Sequence, residues 1–126
     1  MKYLVAAAFV LILVAGAMAQ GPTEARSRQT AIVEFTDKHK LADVVLQGKY
    51  LFEHDDSRMA RGEACMFVYT LVGGKADKVV VSFHCKPVER AKVKAVVTSV
   101  AMTSTPDLFE LKEIQFAGST KGHIVP

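Results

Sequence analysis

The chain has 126 residues, with 16 basic and 13 acidic side chains and a formal net charge of +3 at pH 7. A chain of this length can build one domain with a sizeable hydrophobic core, but it is too short for two. Basic and acidic residues are interspersed along the sequence, and no basic stripe is interleaved with aromatic residues. This pattern argues against a nucleic acid as partner.

Residues Met1 to Ala19 have the pattern of a cleavable export signal. Lys2 provides a short positive segment, Tyr3 to Ala15 form an unbroken apolar run, and Ala17-Met18-Ala19 offers the small residues that a signal peptidase requires. The apolar run is too short to predict a permanent membrane anchor. We therefore expect a mature chain that begins near Gln20 and is periplasmic or secreted.

The apolar pattern after this signal predicts an all-β fold. Residues 20–29 are polar and are expected to form a flexible leader. Residues 30–126 contain short apolar runs with period-two alternation, separated by turn residues. That pattern is typical of a single antiparallel β-sandwich, here with about seven strands. The strands are predicted near residues 31–36, 43–46, 50–54, 65–71, 79–85, 92–102 and 109–116.

The last predicted strand has an inconsistent apolar pattern. Phe109 and Leu111 lie on one face, whereas Ile114 and Phe116 have the opposite parity. Either both faces of this strand are covered, or a β-bulge near Lys112–Glu113 shifts the phase.

The two cysteines, Cys65 and Cys85, are predicted to form a disulfide. Outside the cytoplasm an even number of cysteines usually indicates disulfides, and the sequence contains no Cys-x-x-Cys pair. An antiparallel register with Cys65 opposite Cys85 also places Phe67 opposite Phe83 and turns the apolar residues of both strands to one face. This register requires either a loop of three or five residues around Lys75 or a bulge, and Gly73-Gly74 can supply the positive φ of such a loop. Two buried thiols or one reactive thiol are the alternatives.

One stretch combines imidazole and carboxylate ligands in sequence, and His123 is a possible distant partner of it. The candidate metal ligands are His54, Asp55, Asp56 and His84. If they converged, they could bind zinc or copper, and the two adjacent aspartates also permit general acid–base chemistry. The simpler interpretation, which we expect, is a strand end that runs into a solvent-exposed charged loop.

Three segments carry a resemblance to small exported bacterial β-rich proteins. They are residues 48–65 (GKYLFEHDDSRMARGEAC), 83–87 (FHCKP) and 116–123 (FAGSTKGH). The resemblance covers most of the predicted mature chain. It implies a small exported β-domain and no activity, so it assigns no catalytic residue.

No hydrolase, metalloprotease, phosphate-loop or dinucleotide-binding motif occurs in the sequence. We therefore expect a non-enzymatic protein without a cofactor, acting as a binding or structural module for a protein or small ligand. A periplasmic metal-binding protein that uses His54, His84 and the neighbouring acids is the alternative.

Overall fold

The computed structural model describes residues 28–126, so the predicted export signal and most of the predicted leader lie outside the described residues. Within this range no helix has the length and apolar character needed to cross a membrane. The described elements are β1 (Arg28–Leu41), β2 (Val44–Asp55), α1 (Asp56–Ala60), β3 (Met66–Val72), β4 (Lys75–Phe83), β5 (Lys86–Glu89), β6 (Val97–Met102), β7 (Leu108–Gln115) and β8 (Lys121–Ile124).

The strands form one curled, mixed sheet. Its order is β4-β3-β2-β1-β7-β8-β5, and β6 pairs with β7 beside this path. β1 and β7 run parallel, whereas the other pairs are antiparallel. The predicted β-rich domain is confirmed, but the predicted antiparallel sandwich is wrong. Period-two alternation identifies strands, yet it does not determine which strands pair or in which direction.

The sheet curls into a half-barrel because of the connection between β4 and β5. These strands occupy opposite ends of the sheet order, yet only His84 and Cys85 separate them in the chain. Phe83 and Lys86 are therefore three Cα steps apart and at most about 11 Å from each other even when the chain is fully extended. The two ends of the sheet must therefore approach each other at this junction.

The β3–β4 hairpin does not have the predicted register. Met66 pairs with Phe83, and Val68 pairs with Val81. These four side chains are buried. Phe67 is only half-buried, so β3 presents to the core the face opposite to the one we predicted.

The turn and two register shifts in the hairpin explain this difference. Gly73 and Gly74 have φ values of 59° and 76° and form a two-residue loop between Val72 and Lys75, which pair. Positive φ at both central residues is the type I′ geometry that fits the twist of a hairpin. The residue numbers of the paired Val72 and Lys75 add to 147, and two register shifts between Val68 and Leu71 bring the sum to 149 at Met66 and Phe83. The predicted pair of Cys65 with Cys85 required a sum of 150, so β3 and β4 are paired one residue away from the predicted register.

Gly48 in β2 and a β-bulge in β7 also shape the strands. The strands predicted at 43–46 and 50–54 are joined in β2, where Gly48, with a φ of 102°, continues the strand. In β7 the register shifts so that Ser99 pairs with Glu113 and Val100 with Leu111. Lys112 is therefore the extra residue, and the bulge alternative is confirmed.

The core is continuous along the buried side of the sheet. It is closed by the last residues of the chain, since Val125 is buried with the strand residues. Its members are Val33, Phe35, Leu41, Leu46, Phe52, Met66, Val68, Val81, Phe83, Leu111, Ile114, Phe116 and Val125.

Candidate metal centre

Four side chains from four separate segments meet beside the junction of β4 and β5. His54 lies near the end of β2, Cys65 directly precedes β3, Cys85 is in the junction itself, and His123 is in β8. His54, Cys65 and His123 are 0%, 1% and 2% exposed, and Cys85 is half-buried. We call these four residues the Cys-His cluster.

Strand alternation places two of them in the interior. Phe52 and His54 share one face of β2, and both are fully buried, so the imidazole continues the core face of this strand. The same alternation persists beyond β4: Phe83 is buried, His84 is exposed, and Cys85 turns inward again.

A buried amide fixes the loop that leads to His123. Gln115 Nε2 donates hydrogen bonds to the carbonyl oxygens of Ala91 (2.7 Å) and Ser119 (2.9 Å). Strand β8 then pairs with β7 and places His123 opposite Ile114. The position of this imidazole is thus set by backbone pairing and by a satisfied buried side chain.

The potential ligand atoms of the cluster are close to one another. Cys65 Sγ lies 2.7 Å from Cys85 Sγ, which in turn lies 3.6 Å from His123 Nδ1. A ring nitrogen of His54 and the two sulfur atoms all lie within 4.8 Å of one another. The two imidazole centroids are 3.9 Å apart, and the Phe116 ring contacts both imidazoles. Two sulfur atoms and one His54 nitrogen therefore converge, and His123 Nδ1 adjoins them beside Cys85 Sγ.

Three buried imidazole nitrogens of the Cys-His cluster lack a hydrogen-bond partner among the described residues. They are Nδ1 and Nε2 of His54 and Nε2 of His123. The Asp56 carboxylate comes within 3.4 Å of His54 Nδ1. Buried polar atoms are nearly always paired, so a group of unpaired nitrogens calls for an explanation, and an ion is one.

Burial also sets the protonation of these groups. It lowers the pKa of His54, and it lowers the pKa of His123 to about 4 with a further contribution from the neighbouring His54 imidazole. Burial, followed by the hydrogen bond with Cys65, raises the pKa of the Cys85 thiol. Both imidazoles are therefore neutral at pH 7, which is the form that binds metals, whereas the Cys85 thiol needs a cation to ionise.

The structure brings together only part of the metal site predicted from sequence. Asp55 is buried, contrary to our expectation, because its carboxylate caps α1 and accepts hydrogen bonds from the Ser57 N–H (3.0 Å) and hydroxyl (2.5 Å). The Ser57 hydroxyl is also the main reason why the pKa of Asp55 is lowered. Asp56 is exposed but lies beside His54, and His84 is exposed, as we expected.

The predicted disulfide is not formed, although Cys65 and Cys85 do lie together. Both are free thiols, and their sulfur separation of 2.7 Å exceeds the S–S bond length of about 2.05 Å. The predicted cross-strand pairing is wrong because Cys65 lies before β3 and Cys85 lies after β4. The backbone N–H of Cys85 instead points to Cys65 Sγ at 3.4 Å.

A pocket of about 320 Å³ opens beside the cluster and shares His123 with it. Its walls combine charged, polar and thioether groups with this imidazole. They are Gln29, Asp56, Met59, Pro87, Ser119, Lys121 and His123. The pocket therefore gives solvent a route to the side of the cluster where His123 lies.

The sequence predictions named all four cluster residues but divided them between two different sites. Cys65 and Cys85 were predicted as a disulfide, His54 as a metal ligand, and His123 as a distant partner only. The periodicity of β8 gave no signal, since this strand has four residues. Comparisons with family models, with curated proteins and with solved structures found no match for this chain.

Proposed function

We propose that this protein binds one transition-metal ion, with Zn²⁺ as the first candidate, through the Cys-His cluster. The observation that carries the proposal is the convergence of the two thiol sulfurs with a ring nitrogen of buried His54, all within 4.8 Å of one another, beside His123 Nδ1 at 3.6 Å from Cys85 Sγ. His54 is retained from the ligand set predicted from sequence. Cys65, Cys85 and His123 replace His84 and the carboxylates.

The donor set favours zinc over harder ions. Thiolate sulfur and imidazole nitrogen are typical zinc ligands, and two of each form a closed tetrahedral structural site. Calcium and magnesium prefer oxygen ligands. The nearest carboxylate, on Asp56, lies against His54 Nδ1 and suits a supporting role that orients the imidazole.

Charge supports the same assignment. One Zn²⁺ with two thiolates and two neutral imidazoles has no net charge, so this complex can be buried at low electrostatic cost. The ligands come from β2, from the residue before β3, from the β4–β5 junction and from β8. A bound ion would therefore connect both ends of the curled sheet and stabilise the folded domain.

A metal titration of the reduced protein tests this proposal. We expect one equivalent of Zn²⁺ per chain, measured by elemental analysis after gel filtration. Co²⁺ in its place should give the visible bands of a tetrahedral site and near-ultraviolet absorption from thiolate ligands. Cys65→Ser and His123→Gln should each weaken the binding by about 10-fold or more.

His84→Gln is the matched control, because it removes an exposed imidazole directly beside Cys85. It should bind Zn²⁺ like the unmodified protein. If the reduced protein binds no Zn²⁺, or if the cobalt spectrum lacks thiolate absorption, the proposed site is wrong.

We also propose that the protein is exported, on the pattern of Met1 to Ala19. Mass spectrometry of the protein isolated from its own host should give an N-terminus at or near Gln20. Recovery of the full-length chain from the cytoplasm would contradict this proposal.

A further inference from the structure

We infer that Cys65 and Cys85 form a reversible disulfide with each other, and that this oxidation releases the bound metal. The inference rests on the proposed metal site and adds its regulation. Its basis is that the two Sγ atoms are nearest neighbours at 2.7 Å, while both belong to the potential ligand set. The same sulfur atoms can therefore bind an ion or bind each other, but they cannot do both.

The two thiols differ in access. Cys65 is 1% exposed, whereas Cys85 is half-buried and contacts His123, which lines the adjacent pocket. A small reagent therefore reaches Cys85 first. Cys65 is then placed to attack the Cys85 sulfur from within the protein.

The oxidant that fits this access is a low-molecular-weight disulfide, R–S–S–R. In the metal-bound form both cysteines are thiolates. The Cys85 thiolate attacks one sulfur of the reagent, so a mixed disulfide forms and one R–S⁻ leaves. The Cys65 thiolate then attacks Cys85 Sγ, which forms the internal disulfide and expels the second R–S⁻.

This exchange balances without any further reactant. The two cysteines lose two electrons, the reagent gains them, and its S–S bond is replaced by the bond between Cys65 and Cys85. The ion loses two of its four ligands and departs into solvent, leaving His54 and His123 as neutral imidazoles. Thiol reductants reverse the reaction and restore the site.

The experiment uses the full predicted mature chain, reduced and loaded with one equivalent of Zn²⁺ without oxygen. Glutathione disulfide is added, released Zn²⁺ is followed with a chromogenic chelator, and internal disulfide is followed by intact mass. We expect one Zn²⁺ released per internal disulfide formed, with an unchanged far-ultraviolet circular dichroism spectrum. Dithiothreitol should restore zinc binding.

Two single variants test the order of attack. Cys65→Ser should accumulate a stable mixed disulfide at Cys85, because no second thiol resolves it. Cys85→Ser should react more slowly by roughly 10-fold or more, because Cys65 is shielded from the reagent. Equal rates in the two variants would overturn the assigned order.

The outcomes separate the two proposals. If the reduced protein binds no Zn²⁺, the proposed function fails, and this inference fails with it. If Zn²⁺ binds but stays bound after complete internal oxidation, or if release requires unfolding, this inference alone is overturned.

Discussion

Acidification should destabilise the metal-free protein through the two buried imidazoles. His54 and His123 are fully buried, with ring centroids 3.9 Å apart, so protonating either one places a charge in the interior beside a second imidazole. The pKa of His123 is about 4 in the folded chain, against 6.5 for a free histidine, mainly because of burial. The unfolded chain therefore binds more protons than the folded chain between pH 6.5 and pH 4, and stability falls as the pH falls through this window.

The size of the effect follows from these two values. The interval between 6.5 and about 4 corresponds to about 3 kcal/mol of unfolding free energy when it is fully expressed. Between pH 7 and pH 5, His123 should account for a loss of about 2 kcal/mol. His54 adds to this loss in the same direction, because its pKa is also lowered by burial.

Urea unfolding with a chelator and a thiol reductant present, at pH 7 and at pH 5, measures this loss. His123→Gln should show a smaller difference between the two pH values by about 2 kcal/mol, whatever its absolute stability. His84→Gln, which removes an exposed imidazole, should keep the difference of the unmodified protein. If His123→Gln and the unmodified protein lose the same amount, the imidazole of His123 is not buried as a neutral group, and the reasoning fails.

Three further substitutions test the fold by urea unfolding at pH 7. Phe52→Ala should lower the free energy of unfolding by about 3–5 kcal/mol because the ring is fully buried. Phe67→Ala should lower it clearly less, because Phe67 is half-buried. Equal losses would contradict the observed register of β3. Asp55→Ala should lower the free energy of unfolding by about 1 kcal/mol, because it removes the N-cap of α1. Asp55→Asn should retain most of this stability, and equal losses in the two variants would contradict the capping role. Gly73→Ala should cost about 1 kcal/mol because φ is 59°, whereas Val72→Ala at the neighbouring exposed position should be close to neutral.

The sequence predicted strand content well but predicted topology poorly. Alternation depends on which side of a strand is buried, so it located β1 and β7. The parity change in β7 left two alternatives, and the register shift at Lys112 confirms the β-bulge. Pairing depends instead on turns and on long-range packing. The two-residue loop at Gly73-Gly74 and two register shifts between Val68 and Leu71 together set the β3–β4 register, and no periodicity in either strand records them.

The site was harder to predict because its ligands are far apart in the sequence. Cys65 and Cys85 were expected to meet, and they do, but as residues that flank the same end of the β3–β4 hairpin, where Met66 pairs with Phe83, instead of as a directly opposed pair. His84 and His123 are equivalent as residue types. What distinguishes them is that one follows the exposed side of β4 and the other lies in a four-residue strand on the buried side.

Charge also predicts which ligands of the cluster are hardest to replace. Without metal the interior holds neutral imidazoles, and with Zn²⁺ it holds two positive charges balanced by two thiolates. Cys85→Ser removes one ligand and one negative charge, whereas His123→Gln removes a ligand and leaves the complex neutral. We therefore expect Cys85→Ser to weaken zinc binding by about 10-fold more than His123→Gln does, as measured by competition with a chelator of known affinity. Equal losses in the two variants would mean that the number of ligands, and not the charge of the buried complex, sets the affinity.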